Sequence, residues 1–93
     1  MNIFAVHYVY DPERSAEVAE IRPTHRKFLA SLFEKGELLA SGPWGDGEAL
    51  IVIPADSEAA ALERLDADPF YQAGVILERT AKPWKVIYGP WES

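Results

Sequence analysis

The segment Ile3-Phe4-Ala5-Val6-His7-Tyr8-Val9-Tyr10 decides the fold. It is rich in β-branched and aromatic residues, and its alternation sets Phe4, Val6, Tyr8 and Tyr10 on one side and Ile3, Ala5, His7 and Val9 on the other. Both sets are largely apolar, so the segment reads as a strand buried on both faces. A sheet built around it needs cover on both sides.

Working outward, Asp11-Pro12 ends the strand with turn chemistry, and Ser15 to Glu20, polar and Ala-rich, reads as a short helical lead-in. Pro23 suits a first helical position, where its missing N–H would have had no intrahelical acceptor. The first helix is therefore expected from Pro23, with Phe28, Leu29, Leu32 and Phe33 at helical spacing and Gly36 as its stop. Leu38 to Ser41 and Ala49 to Ile53 are short apolar runs that form a hairpin around the loop Gly42 to Glu48. Pro43 is expected to end the pairing there. Asp56 or Ser57 caps a second helix through about Ala67, with Leu62 and Leu65 inward.

Asp68-Pro69 breaks that helix and starts a further helical turn, with Asp68 as N-cap, Pro69 first and Gly74 closing it. Val75 to Lys82 is strand-like. After Pro83, Trp84, Val86 and Tyr88 alternate against Lys85 and Ile87, as in a tail that pairs at an edge or crosses to a partner subunit. The order β-α-β-β-α-β predicts an α+β, ferredoxin-like sandwich with two helices on one face of a four-stranded antiparallel sheet. The second apolar face of residues 3–10 is then expected to be buried by sheet-to-sheet dimerisation.

The 93 residues fit one domain, 1–93, with a small core. Nine Lys and Arg against fifteen Asp and Glu give a net charge of −6, which argues against a nucleic-acid-binding surface. The one basic cluster, Arg22, Arg26 and Lys27, is too small to reverse that. No apolar run approaches the ~20 residues that span a bilayer. The first ten residues lack the basic start and cleavage site of a secretory signal, so a cytoplasmic location is expected. With no Cys, disulfides and thiolate chemistry are excluded. His7 and His25 lie on different elements without metal-ligand spacing, and no glycine-rich phosphate loop opens a helix, so neither a metal nor a cofactor is expected.

His25 precedes Phe28 and Leu29 by three and four residues, which turns its ring inward. In the first turn of a helix the positive dipole end would disfavour imidazolium and keep the ring able to take a proton. The competing reading is a half-buried imidazole bonded to a neighbouring carbonyl. Asp68 is first of all a cap; a second role, steadying a histidine, can coexist with the cap on a different oxygen. Asp11 and Asp66 are rival carboxylates that spacing alone does not separate from it. Ser41, Gly42 and Trp44 leave the second strand where a sheet-lined pocket would open, with Trp44 as a possible apolar wall. His7 is expected to pack on the sheet, and Trp84 and Trp91 to dock the tail.

Taken together, Arg22-Pro23-Thr24-His25-Arg26-Lys27-Phe28-Leu29, Leu39-Ala40-Ser41-Gly42-Pro43, and Ala67-Asp68-Pro69-Phe70 followed by Ala73-Gly74-Val75 resemble the YCII-related (YciI-like) family over nearly the whole chain. The resemblance implies a homodimeric ferredoxin-like α/β barrel with a site built from the helix histidine and the Asp-Pro aspartate, here His25 and Asp68. It also implies chemistry of the kind found in relatives that eliminate chloride from hydroxylated rings, on a barrel like that of muconolactone isomerases. The expected function is a small, cofactor-free lyase- or isomerase-like enzyme. The alternative is a non-catalytic small-molecule-binding or accessory protein that uses the same cavity.

Overall fold

The computed structural model describes residues 2–92, and its sheet is organised around the first strand. In chain order the elements are β1 (Ile3–Tyr10), a 3₁₀ turn (Pro12–Arg14), α1 (Ser15–Glu34), β2 (Ala40–Pro43), β3 (Glu48–Pro54), α2 (Glu58–Arg64), α3 (Pro69–Gln72) and β4 (Ile76–Pro83). The strands are antiparallel in the order β2-β3-β1-β4, the ferredoxin-like arrangement, so β1 is interior. Its register sets Phe4 against Ile53, Val6 against Ile51 and Tyr8 against Ala49. These residues pack with Leu29 and Leu32 of α1 and with Ala61 and Leu65 in one core. The helices therefore cover the Phe4–Val6–Tyr8 face. On the opposite face Ile3 and Val52 are buried, while Ala5, His7, Val9 and Leu50 are half-buried.

The first helix differs from expectation. Ser15 to Glu34 is one continuous helix with Pro23 inside it, rather than a helix that starts at Pro23. The reason is a second core of Val18, Phe70 and Val75, with Ile21 and Tyr10 packed against it. Val18, Ile21, His25, Leu29 and Leu32 recur at steps of three and four residues and make one continuous inward stripe. Burying Val18 fully and Ile21 in part offsets much of the ~3 kcal/mol an interior proline costs relative to alanine. Pro23 itself is exposed, so water can reach the Ala19 carbonyl that the proline ring leaves without a donor. Phe33, one of the four residues read at helical spacing, is exposed.

Smaller differences lie elsewhere in the chain. Pro43 does not end the pairing but lies in β2 opposite Ala49, because β2 is an edge strand where a missing N–H costs no ladder bond. Of the two expected cap candidates for α2, Ser57 is the one that caps it, its Oγ accepting from Ala60 N–H at 3.0 Å. That helix ends at Arg64, since the Leu65 and Asp66 amides turn back to Leu62 and Glu63 and free Asp68 to start α3. The alternation after Pro83 makes no strand among the described residues. Pro83 already faces Phe4 and Trp84 N–H reaches Ile3 C=O at 2.8 Å, so β4 has reached the end of its partner strand. Trp84 and Trp91 then pack edge to face, 6.5 Å apart. Among the described residues no helix is long and apolar enough to cross a membrane.

Because Pro23 is exposed and inside α1, Pro23→Ala restores a donor for the Ala19 carbonyl without disturbing the buried stripe. It is expected to raise stability by about 1–3 kcal/mol in urea denaturation. A loss of stability would mean that the proline bend is itself required for α1 to pack.

Candidate active site

Between α1 and the β2–β3 hairpin, on the helix-covered side of the sheet, lies a solvent-connected cleft of about 650 Å³. Tyr10, Ala49 and Ile51 lie on its sheet side, α1 contributes Val18, Arg22, His25, Arg26 and Leu29, and the hairpin turn closes the far side. That turn depends on Gly45 and Gly47, whose φ of 72° and 76° an L side chain would adopt only with strain. The opening exists because α2 packs towards the other end of the sheet, against β1 and β4, and leaves the β2–β3 end to α1 alone.

His25 forms the deep wall of this cleft, with a relative exposure of 7%. Its Nδ1 lies 2.8 Å from Asp68 Oδ1 and 2.9 Å from Oδ2. Asp68 is fully buried, and its carboxylate is held by three donors from three elements. The Phe70 amide reaches Oδ1 at 2.9 Å, the Tyr8 hydroxyl reaches Oδ2 at 2.9 Å, and the third donor is the His25 ring. A carboxylate only accepts, so Nδ1 carries the hydrogen and Nε2 is left as the ring nitrogen towards the cleft. Phe70 stacks on the imidazole with centroids 4.0 Å apart and planes at 19°, fixing the ring's tilt.

Two expectations about this pair are corrected. His25 sits in the middle of α1 rather than in its first turn, so the helix dipole does not act on it, and the ring is oriented by Asp68 and Phe70 instead. Nor do the cap and the histidine use separate oxygens of Asp68: Oδ1 accepts from both the Phe70 amide and His25. The rival carboxylates are engaged elsewhere. Asp11 accepts from Glu13 N–H at 2.9 Å at the start of the 3₁₀ turn, and Asp66 pairs with Arg79.

Tyr8 is the member of the site that sequence reasoning missed. Its alternation placed the side chain on the core face, but nothing in sequence spacing aimed its hydroxyl at Asp68. Burial, with the Asp68 carboxylate beside it, pushes the Tyr8 phenol far above its ordinary range, so it stays a donor. Tyr10, on the cleft, is pushed up to about 12, first by burial and then by Asp68, with Arg22 pulling the other way.

Ser41 and Gly42 lie on the cleft, as expected from their place at the exit of β2. Trp44 does not. The alternation that turns Ser41 and Pro43 to the helix side turns Trp44 to the opposite face, where its half-exposed ring meets the edge of His7 at 5.0 Å. His7 is paired there with Glu48 and is remote from His25. Among the described residues no group of three His, Cys, Asp or Glu side chains is placed to hold a metal ion.

Fold and site together define a ferredoxin-like α+β domain with a histidine set in an open cleft and backed by a buried carboxylate. The chain belongs to the YCII-related domain family, whose profile matches residues 3–85. It is 30% identical to Protein YciI of Escherichia coli and, equally, of Shigella flexneri, over 89% of this chain and 97% of theirs. Among solved structures it superposes with TM-score 0.74 on 5-chloro-2-hydroxyhydroquinone dehydrochlorinase from Burkholderia phenoliruptrix in complex with 2,5-dihydroxybenzoquinone, at 20% identity over 89% of this chain and 93% of that one. An antibiotic biosynthesis monooxygenase matches with TM-score 0.58 at 14% identity, over 95% of this chain and 100% of that one. At these identities the structural matches establish the shared fold.

The three-donor arrangement around Asp68 separates two substitutions. Asp68→Asn keeps an acceptor for the Phe70 amide and His25 while its NH₂ faces a Tyr8 hydroxyl able to turn and accept, so it is expected to cost about 1–2 kcal/mol. Asp68→Ala strands all three donors and is expected to cost about 3 kcal/mol or more in chemical denaturation. A cost near the ~1 kcal/mol of a lost helix cap would contradict the arrangement.

Proposed function

We propose that this protein is an enzyme for small organic molecules in which His25 transfers a proton, in a reaction of the lyase or isomerase kind. The observation that carries this reading is the orientation of one ring: Nδ1 is tied to a fully buried carboxylate, which leaves Nε2 on the cleft. In that role Nε2 takes a proton from an activated C–H or O–H of the substrate, and Asp68 stabilises the imidazolium that forms without itself taking the proton. In an elimination the electron pair released at the substrate expels the leaving group as an anion. The proton then passes from Nε2 to solvent through the open side of the cleft.

Ser41 and the backbone of Gly42, on the wall facing α1, are the substrate-contacting groups of β2 in this reading. A dehydrochlorinase that acts on a chlorinated hydroxyhydroquinone shares the fold, which supports a substrate of about that size. We also propose that the sheet face opposite the helices pairs with a second copy, since Ala5, Val9 and Leu50 on it are apolar and only half-buried. That pairing would complete a dimeric α/β barrel.

A metabolite-binding screen read by thermal shift and mass spectrometry, with 5-chloro-2-hydroxyhydroquinone among the compounds and chloride release as its assay, identifies the substrate. On that substrate His25→Gln should fold normally and lose about 10²- to 10⁴-fold in turnover, with binding much less affected. A stable variant with undiminished turnover overturns the proton-transfer role, and binding without turnover in the parent favours the non-catalytic alternative. Light scattering at micromolar concentration should report a homodimer; a folded, monodisperse monomer would refute the pairing.

A further inference from the structure

The cleft holds two groups that the proton-transfer reading leaves unused. Tyr10 lies at the end of β1, where the β1–β4 register shifts between Val9 and Tyr10, the kind of irregularity that re-aims a side chain. Its amide donates to Gly47 C=O at 2.9 Å, which ties it to the hairpin turn on the other wall. Its ring packs edge-on against Phe70 at 5.1 Å and 69°, and Phe70 in turn stacks on His25 at 4.0 Å. Phe70 thus acts as a rigid spacer that fixes Tyr10 and His25 on one cavity. Yet the Tyr10 hydroxyl, unlike that of Tyr8, has no hydrogen-bond partner among the described residues.

Arg22 stands one turn before His25 on the same wall, exposed and without an ion-pair or hydrogen-bond partner among the described residues; Arg26, directly after His25, is likewise exposed and unpaired among them. The charge of Arg22 reaches the Tyr10 phenol, which retains its proton well above neutral pH and so stays a donor. The acidic groups on the cleft are Asp11, which caps the 3₁₀ turn, Asp46 in the hairpin turn, and Glu48, which is engaged by His7. Asp68 lies behind His25 with its oxygens occupied. An unpaired phenol and an unpaired guanidinium beside an oriented imidazole make a complete recognition set for an oxygen anion next to the atom that His25 addresses.

We infer that Tyr10 and Arg22 form an oxyanion-binding pair, and that the cleft therefore selects a small planar phenolate or enolate. This rests on the reading of the cleft as a substrate site. The oxyanion accepts from the Tyr10 hydroxyl and from Arg22, and Leu29 and Pro43 on the cleft supply apolar surface for the ring that carries it. Charge on the substrate is thereby held where it develops when His25 removes a proton.

The test uses the whole protein and 4-nitrophenol, whose absorbance reports its ionisation, with nitrobenzene as the control that lacks the oxygen. Binding of 4-nitrophenol should be saturable, with the bound molecule ionising at lower pH than the free one. Tyr10→Phe should fold with an unchanged melting temperature, since the hydroxyl has no internal partner. It should weaken phenolate binding about 10- to 100-fold, the cost of a hydrogen bond to a charged group. Arg22→Gln should also weaken it and flatten its salt dependence, while nitrobenzene binds parent and Tyr10→Phe alike.

Equal phenolate affinity in Tyr10→Phe, no preference over nitrobenzene, or no saturable binding overturns the inference. His25→Gln separates it from the preceding reading. A His25→Gln protein that keeps turnover while Tyr10→Phe loses phenolate binding removes the proton-transfer role and leaves the anion site. Loss of turnover in His25→Gln with unaltered binding in Tyr10→Phe does the reverse.

Discussion

A carboxylate taken wholly out of water is tolerable only when its oxygens are met by donors, and Asp68 imposes that constraint on the rest of the molecule. The donors come from the central strand, the long helix and the start of α3: the Tyr8 hydroxyl, the His25 ring and the Phe70 amide. Each is useful only if its element is held in place, so one buried charge couples the sheet, the helix above it and the chain between α2 and β4. The same bonds fix the tautomer and tilt of His25. Stability and the proposed chemistry therefore draw on one interaction, in which Asp68 is both the cap that starts α3 and the group that orients the imidazole.

The location of the cleft follows from how little there is to cover the sheet. One long helix and two short ones lie over four strands; α2 packs towards β1 and β4, and α3 packs against α1. Over β2 and β3 only α1 remains, and a hairpin turn rich in glycine cannot fill the gap with side chains. What is left is a cavity of a size suited to a small ligand, with an oriented imidazole at its base. The apolar second face of β1 is the other consequence of a small chain, and the proposed pairing with a second copy would bury it.

Much of this was legible in the sequence. The alternation in residues 3–10 fixed the central strand and its two apolar faces, and the spacing of His25 before Phe28 and Leu29 turned the ring inward as found. Asp68-Pro69 announced a capped turn, and Gly74 closes it with φ of 72°. What failed were inferences that depend on tertiary neighbours. Pro23 is a fair start signal locally, but Phe70 and Val75, some fifty residues on, supply the core that carries the helix through it. Trp44 was placed by proximity along the chain, whereas strand alternation sent it through to the other face. The Tyr8 hydroxyl found its partner sixty residues away, a distance at which periodicity says nothing.

The central claim is that Asp68 holds His25 with its hydrogen on Nδ1 and presents a bare Nε2 to the cleft. Nitrogen-15 NMR of the imidazole at a pH where the ring is neutral measures this directly, because protonated and unprotonated ring nitrogens have well-separated shifts. The account predicts a protonated Nδ1 coupled to its hydrogen and an unprotonated Nε2 in the parent protein, with that preference weakened in Asp68→Asn. A His25 ring found with its hydrogen on Nε2, or with an even mixture of tautomers that Asp68→Asn leaves unchanged, would contradict it.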